Sequence, residues 1–301
     1  MSIEAIEHIS NKRILFSPLN WGFGHVSRSI PILQKLIDNG NSVIVACNEN
    51  QRKVYEEYFS NLEFVIWEGY PFRFSGKGNF ALDLFRSLPN LISFGRKEMN
   101  FVERFCQTVN VDLVISDHRY FFRSKKIKSI FITHQITLPL PAYLKFAQRI
   151  HLQMINKFIE IWILDTKEHS FAGKLSEGKT KPKQVFLGPV SRFRECEDIQ
   201  KSGTLILISG PEPYANKFYL EQKSKLKQND KIVYNGKMET LNSSKELRWK
   251  DLDEEMIRTK KLVSRSGYST LMDVHFLKCD SEFIPTKGQW EQEYLKNLPN
   301  E

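Results

Sequence analysis

Cysteine is scarce: four in 301 residues, Cys47, Cys106, Cys196 and Cys279, with no CxxC pair among them. Neither a zinc site nor a disulfide framework is expected, and a reducing compartment is the simple reading. No apolar run approaches the ~20 residues that cross a bilayer. The opening residues, Met1-Ser-Ile-Glu-Ala-Ile-Glu-His8, carry acids where a signal peptide carries bases, so a soluble cytoplasmic protein is expected. Tandem repeats and low-complexity tracts are missing too. Acidic residues are in deficit, 35 against 44 Lys plus Arg, giving a net charge of +9 and pI ≈ 9.2. A field of that sign favours anionic partners: nucleotides, nucleic acid or an anionic membrane surface.

What is present is a globular composition, 41% hydrophobic, 12% aromatic and 26% charged, which excludes a disordered or fibrous chain. The length fits two domains or one large α/β domain. Arg13-Ile-Leu-Phe-Ser-Pro18 reads as a strand, followed by apolar residues at helical spacing from Val26 to Ile37 and a stop at Asn39-Gly40. Ser42–Cys47 is apolar throughout, as a strand covered on both faces is. Strands are expected again at Leu62–Trp67, Asp112–Ser116, Ser129–Thr133 and Ile161–Leu164. Helices are expected at Leu82–Val109, interrupted near Pro89, and at Ala142–Phe158. After a polar connection the pattern restarts, with strands at Thr204–Ser209, Lys231–Tyr234, Lys261–Ser264 and Glu282–Ile284. The helices between them are Tyr214–Leu226, Leu252–Thr259 and Tyr268–Leu277, and a last helix starts at Gln289. Alternation of this kind predicts two successive doubly wound α/β units.

Three turns could carry chemistry. Asn20-Trp-Gly-Phe-Gly-His-Val-Ser-Arg28 lies between the first strand and helix, where ligands of open α/β sheets bind. Gly22 and Gly24 allow close approach of the backbone, and His25 at the helix start is a candidate general base. Its glycine spacing is not GxGxxG, and a dinucleotide-binding turn or simple capping loop fits the same residues. Val263-Ser-Arg-Ser-Gly-Tyr-Ser-Thr-Leu-Met-Asp273 repeats the strand–turn–helix pattern. Ser266 and Gly267 could cradle a phosphate and Asp273 a ribose, or the segment is a well-capped helix. Gln289, Glu291 and Gln292 gather at the start of the last helix, suited to sugar hydroxyls or to a polar helix N-terminus. Asp251-Leu-Asp253 is formally a DxD but reads as capping. His118, Arg119 and His134-Gln135 follow strand ends and are candidates for the acceptor side of a cleft.

Gly22-Phe-Gly-His25, Leu187-Gly-Pro189, Ser264-Arg-Ser-Gly267 leading to Asp273, and Pro285-Thr-Lys-Gly-Gln289 leading to Glu291-Gln292 stand in an order that resembles glycosyltransferase family 28. That family includes the UDP-N-acetylglucosaminyltransferase that forms lipid II. The resemblance runs from about Lys12 to Leu298 and is strongest to uncharacterised bacterial members. It implies the GT-B fold, two Rossmann-like domains facing a cleft, the second of them short. The acceptor domain is then 1–188, the linker 189–202 and the nucleotide-sugar domain 203–301. Matched residue by residue, His25 falls near the reacting centre with Gly22 and Gly24 beside it. Ser209, Gly210, Arg265, Ser266 and Gly267 fall at the diphosphate, Asp273 at the ribose, and Gln289, Glu291 and Gln292 at the donor sugar. Asp273 stands where the lipid II enzyme has Glu, and Lys287 replaces a proline of the bacterial signature.

The resulting expectation is an inverting transferase moving a sugar from a UDP-sugar to a hydroxyl of a glycan or lipid-linked acceptor, with no metal and no cofactor. A UDP-sugar 2-epimerase and a non-catalytic nucleotide-sugar-binding protein are the rivals. Nucleic acid is not expected as a partner. The run Arg119-Tyr-Phe-Phe-Arg-Ser-Lys-Lys-Ile-Lys128 adds an expectation of peripheral contact with the inner face of an anionic membrane.

Overall fold

The computed structural model describes residues 5–72, 74–77, 80–141, 144–194 and 199–298, the side chains of 80–82, 84 and 85 excepted. Strand β1 (Arg13–Pro18) pairs in parallel with β2 (Ser42–Cys47). Helix α1 (Gly24–Asp38) joins them and ends where Gly40 takes a φ of 79°, a left-handed turn that glycine adopts freely. Then follow α2 (Glu49–Tyr58), β3 (Glu63–Ile66), α3 (Phe80–Val109), β4 (Leu113–Asp117), β5 (Ser129–Thr133), α4 (Lys145–Ile155), β6 (Glu160–Ile163) and β7 (Lys183–Phe186). All seven strands are parallel, in the order β3-β2-β1-β4-β5-β6-β7. The order reverses at β1, and such a reversal leaves a crevice beyond the strand ends of β1 and β4.

The second sheet contains β8 (Ser202–Leu207), β9 (Asp230–Tyr234), β10 (Lys237–Glu239), β11 (Ser244–Glu246), β12 (Thr259–Ser264) and β13 (Asp280–Phe283). Helices α5 (Tyr214–Lys223), α6 (Trp249–Ile257), α7 (Tyr268–Leu277) and α8 (Trp290–Lys296) accompany it. The order is β11-β10-β9-β8-β12-β13, parallel from β9 to β13 and antiparallel through β10 and β11. The protein is thus α/β, with two Rossmann-like parallel-sheet units.

Three features differ from the sequence reading. Helix α3 runs unbroken through Pro89, which is exposed. Helix α2 was not legible as an amphipathic run; a capping box between Asn48 and Gln51 starts it. Strands β7, β10 and β11 are three or four residues long, too short to show a period. The expected start of α4 at Ala142 lies outside the described residues.

The largest core cluster does not respect the division between sheets. Tyr268, Leu271 and Met272 of α7 and Leu295 of α8 pack with Val26, Ile30 and Leu33 of α1 and with Leu175. Cys47 and Cys106 are buried free thiols and Cys279 is half-buried and free; Cys196 lies outside the described residues. Among the described residues no helix is long and apolar enough to cross a membrane.

Candidate functional site

Asp117 ends β4 opposite Pro18, the last residue of β1. That register places its carboxylate beside the loop that leads into α1. His25, the second residue of α1, brings Nδ1 to 3.0 Å from Asp117 Oδ2. An ionised carboxylate only accepts, so the neutral imidazole carries its proton on Nδ1 and leaves Nε2 with a free lone pair. One turn further along α1, Arg28 grips the same carboxylate, with Nε 3.1 Å from Oδ2 and Nη2 on Oδ1. Burial by itself would raise the Asp117 pKa, but Arg28 and His25 outweigh it and hold the carboxyl well below its usual range. Burial first, and the Arg28 cation second, push His25 below its ordinary value against the pull of Asp117. The His25 side chain is 15% exposed, so the base is sheltered yet reachable.

The network extends to the second unit. Arg28 Nη1 donates to His134 Nδ1 at 3.1 Å, which places the His134 proton on Nε2. That nitrogen faces Glu291 Oε1 at 2.9 Å. Burial would raise the Glu291 pKa, and the His134 hydrogen bond reverses the direction. His118, whose ring centroid is 5.9 Å from that of His25, is driven well below its ordinary value by burial. Its Nδ1 lies 3.2 Å from Thr133 Oγ1. Gln135 is buried, with its backbone N–H on Thr133 Oγ1.

Across from this group, the β12–α7 turn supplies a helix N-terminus. Ser269 Oγ donates to the Gly24 carbonyl at 2.9 Å, pressing the first turn of α7 against the glycine loop. A Cβ on Gly24 would sit 3.1 Å from that hydroxyl, whereas positions 210 and 267 have nothing within 4 Å. Gly210 (φ 107°) follows Ser209 in the loop after β8. Ser266 is fully buried and donates to the Gln292 carbonyl at 2.7 Å; Gln292 Oε1 accepts from Thr286 N at 2.7 Å. These two residues tie the β12–α7 and β13–α8 turns together. Arg265 stacks 4.0 Å over the Phe218 ring and donates from Nη1 to the Ile284 and Pro285 carbonyls. Ser264 Oγ, Arg265 Nε and Gln289 Oε1 are buried without a protein partner. A buried polar atom left unpaired costs ~1–3 kcal/mol, and Arg13 Nε and Arg123 Nε are unpaired elsewhere in the fold.

Asp273 is placed differently from its expected surroundings. Its oxygens accept from Ser191 Oγ and Arg192 Nη1, both at 2.6 Å, and it is buried. A ribose could reach it only by exchanging those partners. Arg192, in the connection between the sheets, also binds Asp253 at 2.7 Å and Ser27 Oγ at 2.6 Å. Of the formal DxD, Asp251 closes the capping box of α6 and Asp253 belongs to this Arg192 cluster.

His25 and Glu291 are linked through Asp117, Arg28 and His134, Gly24 meets Ser269 of α7, and Asp273 is drawn into the Arg192 cluster. Sequence reasoning missed Asp117 and the role of Arg28. The available signal was a carboxylate closing an apolar strand, but its proximity to His25 needs the sheet order. Arg119 was expected near the acceptor; it is fully buried, bonding Glu98 Oε1 through Nε at 2.8 Å and lying over the Tyr70 and Phe122 rings. Phe122 is fully buried as well, so the run 119–128 does not present that aromatic pair to a surface; Lys125, Lys126 and Lys128 are its exposed cations.

A cleft of about 500 Å³ opens between Asn20–Gly22 and the Pro211–Pro213 segment after β8. A hollow of about 350 Å³ lies away from it beside Cys106, Asp112 and Lys126, by the amino end of β4. Ligands of open α/β sheets bind at the carboxyl ends, which favours the first.

Compared by sequence, the chain matches no family model and no curated protein significantly. Among solved structures it is similar to Arabidopsis thaliana UGT89C1 complexed with UDP-L-rhamnose: 11% identity, 94% of this chain and 82% of that one, TM-score 0.58. It is also similar to SsfS6, a glycosyltransferase of Streptomyces sp. SF2575, at 14% identity over 95% and 85% of the two chains, TM-score 0.57. A third likeness is to the spinosyn rhamnosyltransferase SpnG complexed with thymidine diphosphate, at 10% identity over 94% and 83%, TM-score 0.58. At such identities the likeness concerns architecture, and the two parallel-sheet units have the GT-B fold of those glycosyltransferases.

Proposed function

We propose that this chain is a nucleotide-sugar-dependent glycosyltransferase that uses a UDP-sugar and inverts the anomeric carbon, related to family 28. The observation that carries this reading is the His25–Asp117 pair at the carboxyl end of β4, with α1 pressed against the first turn of α7. Residues 1–188 then supply the acceptor side and 203–301 the donor side. His25 Nε2 takes the proton of the acceptor hydroxyl, Asp117 fixes the ring and its tautomer, and the hydroxyl oxygen attacks the anomeric carbon. The bond to the diphosphate breaks with its electrons going to the leaving group. N–H groups at the start of α7 stabilise that charge, a role a metal plays elsewhere. The unpaired Ser264 Oγ, Arg265 Nε and Gln289 Oε1 support a polar donor at the same turns. The similarity to structures holding UDP-L-rhamnose and thymidine diphosphate supports a nucleotide donor in kind.

Purified protein with UDP-sugars and a lysate or lipid acceptor pool should release UDP. Ligand-detected NMR that finds no UDP or UDP-sugar binding at millimolar concentration would overturn the reading. An epimerised UDP-sugar formed without acceptor would replace transfer by 2-epimerisation. Contact with an anionic membrane would rest on Lys125, Lys126 and Lys128, and co-sedimentation with anionic against neutral vesicles measures it.

A further inference from the structure

The cleft beside the glycine loop has a lining that the transfer reaction leaves unexplained. Trp21, 37% exposed, lies 5.0 Å from Phe72 at an interplanar angle of 35°. Phe72 and Phe74 meet at 4.5 Å and 84°, and Trp21 and Phe74 at 6.3 Å and 74°. The three rings make a corner with two nearly perpendicular faces, closed on the far side by Pro211 and Pro213. The segment that carries Phe72 is tied down by Asn20 Oδ1, which accepts from Tyr70 N, and by Arg119, which donates to the Glu68 carbonyl. Glu212 is the one charged side chain among the described lining residues, and its carboxylate already accepts from Tyr234 Oη and Asn216 N.

We infer that this corner is the acceptor subsite of the proposed transferase and that it takes a planar aromatic alcohol, a phenol, rather than a sugar, an aliphatic alcohol or a phosphorylated lipid. The inference rests on the transferase reading for its chemistry. Two perpendicular ring faces offer an aromatic guest one stacked and one edge-to-face contact, each ~0.5–1.5 kcal/mol beyond area burial. An aliphatic chain gains no such geometry. A phosphate would meet the Glu212 carboxylate. A sugar would find the Glu212 carboxylate engaged with Tyr234 and Asn216 and Asn20 Oδ1 engaged with Tyr70 N, which leaves Asn20 Nδ2 as a side-chain donor of the described lining. Reactivity agrees: a histidine held below its ordinary value is a weak base, matched better to a phenol, near pKa ~10, than to an aliphatic alcohol. In the step, the phenol O–H proton passes to His25 Nε2, the oxygen bonds the anomeric carbon of the nucleotide sugar, and the nucleoside diphosphate leaves with the electron pair.

The probe is 2-naphthol, compared with dodecanol and methyl β-glucoside, each titrated by ligand-detected NMR against the full chain with UDP measured in parallel. Expected is 2-naphthol binding at least ~10-fold tighter than either comparator. That binding should weaken ~10-fold in Trp21→Ala and in Phe72→Ala, with UDP binding retained. Thermal melts establish that both variants fold, and Phe146→Ala, at an exposed site on α4, should leave 2-naphthol binding unchanged. Preference for dodecanol or methyl β-glucoside, or unchanged binding in both folded ring variants, overturns the inference. UDP binding without 2-naphthol binding overturns it alone; loss of both in the wild type removes the transferase reading as well.

Discussion

His134 and Glu291 are 157 residues apart in the chain and 2.9 Å apart in space, His134 Nε2 facing Glu291 Oε1. The contact joins the end of β5 in the first unit to α8 in the second. Through Arg28 it continues to Asp117 and His25, so the seating of α8 and the orientation of the base share one hydrogen-bonded network.

Glu291→Ala is expected to cut turnover ~10-fold or more while Glu291→Gln, which keeps an acceptor oxygen for His134, retains most of it. UDP-release kinetics of the two variants separate these outcomes. Equal loss in both would assign the effect to charge alone.

His25→Ala should lower UDP release ~10²-fold or more without unfolding the protein, since the side chain reaches the surface of the site. The acid limb of the wild-type rate should lie below pH ~6.5, because burial and Arg28 depress the His25 pKa. A limb above pH ~7 would show a different base. Asp117→Asn frees the tautomer and also leaves Arg28 buried with a neutral partner, so both rate and stability should fall.

Stability should decline as pH falls from ~6.5 toward about 4. Burial lowers His151 to about 4 and drives His118 well below its ordinary value. In that interval the unfolded chain binds more protons than the folded one, so the stabilisation is present above pH ~6.5 and lost on the way down. His151 accounts for about 3 kcal/mol. Urea denaturation at pH 7.5 and 4.5, with and without His151→Gln, measures the contribution.

Arg192→Met should destabilise by ~3–5 kcal/mol, because it leaves the buried Asp273 and the half-buried Asp253 without their shared cation. Chemical denaturation reads the loss. Asp273→Asn tests the ribose expectation directly: unchanged UDP affinity in this variant would give Asp273 to the Arg192 cluster alone.

Much of the fold was legible in the sequence, and for local reasons. Strands β1, β2 and β5 and helix α7 begin and end where apolar runs and turn residues place them. Buried parallel strands leave continuous apolar runs, and helix ends leave glycine and small polar residues. Strand β7 and the β10–β11 hairpin escaped because a three- or four-residue edge strand has too few positions to show a period.

The residue types at the glycine loop and at the two turns of the second sheet were set by the sequence alone. Backbone freedom at Gly22 and the start of α7 at Tyr268 are properties of local chain chemistry. Which side chains meet was decided only by the tertiary structure. Asp117 reaches His25 because β4 lies beside β1, although 92 residues separate the two. Asp273 is turned from a ribose-facing candidate into an ion-pair partner because Arg192 arrives from the connecting segment. Arg119 and Phe122, a basic and an aromatic residue in a run that reads as surface, are interior because Glu98 of α3 neutralises the guanidinium. A linear pattern records each residue's own preference, whereas burial of a charge depends on a partner that only the fold brings within hydrogen-bonding distance.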